Sequence, residues 1–161
     1  MSAIPDLYDA LITTMSTPNG AGDYVNDLTD RVFWGPDAGD DAVATGCRVW
    51  ESTVTDGFED VPLGSYNRTT QIEVEAWCPS SQDPLKRAKQ GAILRNDLYL
   101  AIFDSHRVSG GALCTWQAAH GLSLRHLLID SIATNGDEVG FAGTTRVYLR
   151  LRLAWKARRG H

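Results

Sequence analysis

Two rhythms of apolar and polar positions run through this chain. The clearer one has period two: Val147, Leu149, Leu151, Leu153 and Trp155 alternate with Arg146, Tyr148, Arg150, Arg152, Ala154 and Lys156. Such alternation predicts a strand over residues 144–155, with one face for a core and one basic face. Residues 69–77 repeat the plan with the opposite charge. Ile72, Val74 and Ala76 share one face, while Gln71, Glu73 and Glu75 share the other. If both strands lie in one sheet, acids and bases meet across its outer surface.

The second rhythm is helical. Ile4, Leu7, Tyr8, Leu11, Ile12 and Met15 recur at i, i+3, i+4 spacing and predict a helix over residues 3–15. Ser2 suits its cap, Pro5 its first turn, and Asp6 and Asp9 its positive end. A denser signal opens the next helix, where Asp83 fits the N-cap and Pro84 the first helical position. Leu85, Ala88, Ala92, Leu98, Tyr99 and Ile102 predict its inward face, and its end is expected near Asp104-Ser105. Gly91 weakens this helix by roughly 1 kcal/mol relative to Ala, which suggests a close packing contact there.

Between these elements lies a Gly-, Asp- and Asn-rich acidic loop over residues 18–46, holding one short strand at 31–34. So long a loop in a compact domain usually serves binding or orders on binding. Residues 47–55 read as a strand that pairs with 69–77 across a polar connection. Residues 112–119 are read as a strand or as an irregular cover. Residues 122–134 predict a strand with a break. Asn135-Gly136 predicts a turn, and Asp137-Glu138 an acidic tip, leading through Gly140 and Gly143 into the final strand.

This order predicts a single-domain α+β fold over residues 1–161. Its twisted, antiparallel-rich sheet has four to five strands, with two main helices packed on one face. The charged face is then left for solvent or another subunit.

Composition changes that picture little, but charge changes it more. With 161 residues, 43% hydrophobic and 22% charged, the chain suits one soluble domain. No apolar run approaches the roughly 20 residues of a membrane span. The first residues lack the basic and apolar regions of a signal peptide. Cys47, Cys78 and Cys114 are odd in number, far apart and without CxxC spacing, which predicts reduced, buried thiols. The net charge of −5 hides an asymmetry. Acids dominate as far as Asp60, with only Arg31 and Arg48 opposing them, while the basic tail 157–161 closes the chain.

Catalytic patterns are not written here. His106, His120, His126 and His161 have no metal or dyad spacing, and Cys114 near His120 is a weak pair. GxSxG, GxxxxGK[ST] and GxGxxG are all missing. Asp37, Asp40 and Asp41 lack the spacing of a calcium loop. Glu73 and Glu75 are better partners for arginine than acid–base catalysts. No enzymatic activity, cofactor or metal is expected.

The order helix, long loop, strand pair, helix and final hairpin resembles the tail terminator proteins of long-tailed bacteriophages, also called tail-completion or head–tail joining proteins. The likeness rests on YNRTTQIEVEAW (66–77), DPLKRAKQGAILRNDLYLAI (83–102) and TTRVYLRLRLAWKA (144–157). It implies a virion protein, assembled in the host cytoplasm, whose hexameric ring caps the tail tube. Such a ring stops tube polymerisation and meets the head connector or head-completion protein, and DNA only passes through its lumen. Ring contacts between unlike patches would draw on Glu73, Glu75, Arg146, Arg150 and Arg152. Asp37, Asp40 and Asp41 would face the lumen and repel transiting DNA. The alternatives are another neck or tail component, or a small ligand-binding domain or enzyme.

Overall fold

The computed structural model describes residues 3–38, 44–57, 64–140 and 144–158, with 131–140 and Arg158 described by their backbone alone. The elements in chain order are α1 (Ala3–Met15), β1 (Val32–Trp34), β2 (Gly46–Gly57) and β3 (Ser65–Pro79). They continue with α2 (Pro84–Arg107), α3 (Ala112–Ala119), β4 (Leu124–Gly140) and β5 (Thr144–Arg158). The five strands form one sheet in the order β1-β2-β3-β5-β4. β1 runs parallel to β2 and every other pair is antiparallel. The fold class is α+β, as the pattern predicts.

The two alternating stretches are neighbours at the centre of that sheet. β3 and β5 pair without interruption from Ser65 opposite Arg158 to Pro79 opposite Thr144. Their period-two patterns therefore fall in phase. Ile72, Val74 and Ala76 line up with Val147, Leu149 and Leu151 on one face, all buried. Against that face pack Leu7, Leu11 and Met15 of α1, Leu94, Leu98 and Ile102 of α2, and Leu113 and Trp116 of α3. Each such side chain contributes about 1.5–3 kcal/mol through its removal from water.

α1 occupies its expected span, though Ser2 lies outside the described residues. Asp83 caps α2 by accepting the Leu85 N–H at 3.0 Å. The buried stripe of α2 is not the expected one. Gly91, Leu94, Asp97, Leu98, Ala101, Ile102 and Ser105 face inward, whereas Leu85, Ala88 and Ala92 are exposed. The reason is the Gly91 contact. A Cβ there would lie 3.3 Å from Thr145 Cγ2, so α2 meets the sheet at Gly91 and its first turns run beyond it. The helix also continues past Ser105 to Arg107, and its last turn ends where the Val108 N–H bonds the Asp104 carbonyl at 2.9 Å.

Three further expectations are corrected. Residues 112–119 form helix α3, whose Leu113 and Trp116 face the core; Trp116 meets Trp155 edge-on at 5.4 Å. Asn135-Gly136 is not a turn. β4 runs through it to Gly140, which pairs with Thr144, and residues 141–143 lie outside the described residues. Pairing with a long β5 overrides the local turn preference, and β4 absorbs the mismatch as register shifts.

The third correction concerns residues 18–31, which are clamped rather than loose. Leu28 is fully buried, and its N–H donates to the Pro18 carbonyl at 2.8 Å. Asp97 of α2, 1% exposed, receives the N–H groups of Val25 and Asn26 and the Asn26 side-chain amide. A carboxylate at a core position of α2 thus satisfies donors that a loop would otherwise leave unpaired. No helix among the described residues is long and apolar enough to cross a membrane.

Candidate assembly surface

The sheet face opposite the helices carries the residues singled out by alternation. Because paired residues point to the same side, one cross-strand row contains Arg48, Glu75 and Tyr148, and the next contains Trp50, Glu73, Arg150 and Asp130. Arg146 stands beside Trp77, and Arg152 beside Gln71. All of Glu73, Glu75, Arg146, Arg150 and Arg152 are therefore brought together on one surface.

Their pairings grade from buried to open. Arg146 Nη1 donates to Glu75 Oε1 at 2.6 Å, with only 10% and 11% of the two side chains exposed. Arg48 Nε approaches the other Glu75 oxygen at 3.4 Å. Arg150 Nε donates to Glu73 Oε1 at 2.9 Å, an oxygen that also accepts from Ser52 and Gln71. Arg152 reaches Asp130 at 2.7 Å with both side chains about half exposed. Glu73, Glu75 and Arg146 are thus largely withdrawn from water. The charged face, expected to be left for solvent or another subunit, is in this part covered by its own pairings.

An aromatic stack explains that burial. Two guanidiniums approach the Trp77 indole, with Arg48 Cζ 4.9 Å and Arg146 Cζ 5.5 Å from the ring. Its cross-strand partner is Gly46, where an added Cβ would stand 2.5 Å from Trp77 Cζ2. The missing side chain is what gives the indole its place. Arg48 was not singled out by sequence, although alternation across 46–50 puts it on this face with Trp50. Asp130 was hidden because its partner lies across β4 and β5.

The acidic loop is only partly described. Asp37 is exposed after β1, while Asp40 and Asp41 lie outside the described residues. Near it, Arg48 Nη1 donates to the Pro36 carbonyl at 3.0 Å.

The histidines have structural surroundings. His106 borders a cleft of about 410 Å³ between α2 and β4, lined also by Phe103, Leu124, Leu127 and Ile129. Burial, then the nearby Arg107 charge, hold its pKa below the ordinary value. Gln117 Oε1 accepts the Leu124 N–H at 2.9 Å, which turns its amide nitrogen towards His106 Nδ1 at 3.3 Å. The neutral ring then carries its proton on Nε2 and has no free lone pair for proton abstraction. His120 Nε2 donates to Asp6 at 2.8 Å beside Trp116, joining α3 to α1. His126 is exposed, and His161 lies outside the described residues.

Cys47 and Cys78 are free and buried. Burial pushes the Cys78 thiol up to about 11 and raises Cys47 further, so both remain protonated. Among the described residues, no group of three or more His, Cys, Asp or Glu side chains is placed to hold a metal ion. No protein-family model matches the chain, and no curated protein matches it either.

Proposed function

We propose that this chain is a structural virion protein, a tail terminator that forms a ring on the finished tail tube and joins it to the head connector. The observation that carries the reading is the two-sidedness of the sheet. The helices occupy one face, and the other presents ordered rows of arginine and carboxylate around Glu73, Glu75, Arg146, Arg150 and Arg152. The inner rows are self-paired and largely buried, while Arg152 with Asp130 stays open to exchange with a neighbouring subunit. Such surfaces contribute orientation and partner choice more than raw affinity. The element order that supports the likeness to tail terminators is retained in the fold, with α3 added between α2 and the final hairpin.

In this reading the chain has no catalytic role, and its partners are further copies of itself, the tail tube protein and the head-completion protein. Asp37, Asp40 and Asp41 face the lumen, where their charge keeps DNA from adhering. The decisive experiment is electron microscopy of particles produced without this protein. Overlong or headless tails are expected, and normal tails would overturn the proposal. A map of the assembled ring that puts the 35–45 loop on its outer rim would overturn the lumen assignment alone.

A further inference from the structure

We propose that copies of this chain join by edge-to-edge strand pairing, with β2 of one copy extending the sheet of the next along β4. The inference rests on the ring reading above and names the surfaces that would close the ring.

The sheet has two open edges. β1 covers β2 only as far as Val49, so β2 from Trp50 to Gly57 pairs with β3 alone. At the other side β4 pairs with β5 alone. Among the described residues, no backbone group outside the sheet bonds β4, and the Leu124 N–H goes to a side chain. Open edges of this length template pairing with another chain unless they are blunted.

The two edges match in direction and level, with one register shift in β2 between Glu51 and Thr53. β2 and β4 run in opposite senses within the sheet, so a copy placed alongside with its sheet aligned offers β2 to β4 as an antiparallel partner. Following the cross-strand pairs, Thr55 lies level with His126, Val54 with Leu127, and Glu51 with Ile129. From His126 to Ser131 the β4 register is unbroken, and its next shift falls between Ser131 and Ala133. That is the level of Val49, where β1 begins to cover β2. Beyond this level β4 stays paired with β5 through Asn135, so the proposed pairing is confined to the stretch from His126 to Ser131.

Side chains along the edges are complementary as well. Val54 is 39% exposed on the helix-side face. Level with it, Leu127 borders the α2–β4 cleft together with Phe103, which is 60% exposed. A neighbour's Val54 would cover that cleft's mouth. Because each copy uses two unlike edges, the contact repeats head to tail, which forms a ring where the rotation between copies closes.

The test uses disulfide trapping in the full chain carrying Cys114→Ser. Mixing a Val54→Cys chain with a Leu127→Cys chain is expected to give cross-linked dimers on oxidation, and the double variant a ladder of larger species. Val25→Cys with Leu127→Cys, a pair outside the edge, is expected to give none. Independently, Val54→Lys is expected to reduce the light-scattering mass to that of one chain with an unchanged circular dichroism spectrum. An oligomer that yields no Val54–Leu127 cross-link, or that survives Val54→Lys, overturns the edge pairing and leaves the ring reading standing. A chain of single-copy mass at every concentration that also forms no cross-link overturns both.

Discussion

The carboxylate of Asp97 accepts both the backbone N–H and the side-chain amide of Asn26, each at 2.8 Å, from a position 1% exposed on α2. This single residue ties residues 18–31 to the helix layer. Asp97→Ala leaves several donors without their acceptor, and the expected loss is about 3 kcal/mol. Urea unfolding followed by tryptophan fluorescence measures it. Limited proteolysis of the variant is expected to cut within residues 19–27 before the wild type is cut anywhere in that segment.

The arginine–carboxylate ladder predicts a gradient. Glu75→Ala removes a carboxylate shared by Arg48 and Arg146 at a largely buried site, and is expected to cost about 3 kcal/mol. Arg152→Ala breaks a pair that is half exposed on both sides, and should stay within about 1 kcal/mol of wild type. Glu73→Ala is expected to fall between them. Equal losses at Glu75 and Arg152 would contradict the burial order.

Two glycines are expected to respond differently to alanine. At Gly46 the new Cβ would stand against the Trp77 ring, and overpacking there costs about 1–3 kcal/mol. At Gly91 the contact is the Thr145 methyl group at 3.3 Å, which needs to yield only slightly. The helix propensity gain of roughly 1 kcal/mol offsets that contact, so Gly91→Ala should be near neutral or stabilising. Thermal unfolding of the pair of variants separates the cases.

His106 gives a pH dependence with a definite sign. Its pKa in the folded chain lies below the ordinary 6.5, chiefly through burial. The unfolded chain therefore binds the proton first as pH falls, and stability declines through 6.5 towards the depressed folded-state value. His106→Gln keeps an acceptor for Gln117 but does not titrate. Its loss of stability between about pH 7 and about pH 5 is expected to be smaller than the wild-type loss, measured as the shift in urea midpoint.

The central strands were legible because alternation and charge agreed there. Ile72 to Ala76 and Val147 to Trp155 could be buried only on one face, and the acids of one matched the arginines of the other. Asp97 was illegible for the opposite reason. A polar residue at a core position of a helix breaks the apolar rhythm, and only its partners in another segment explain it. Short α3 offered too few turns to show a period, so Leu113 and Trp116 fitted a strand equally well. On the sheet face opposite the helices, Glu73 and Arg150 could be named from sequence. Arg48 and the Gly46–Trp77 nesting needed the register of β2 against β3.

The place of β5 in the sheet has a consequence for synthesis. The strand made last is inserted between β3 and β4, and Arg150 follows its partner Glu73 by 77 residues. At about 5–20 residues per second the ribosome leaves that acidic strand waiting for roughly 4–15 s. Throughout that interval the edge of β3 that β5 comes to pair with stays bare. The nascent chain is then most exposed to aggregation and most in need of a holding chaperone.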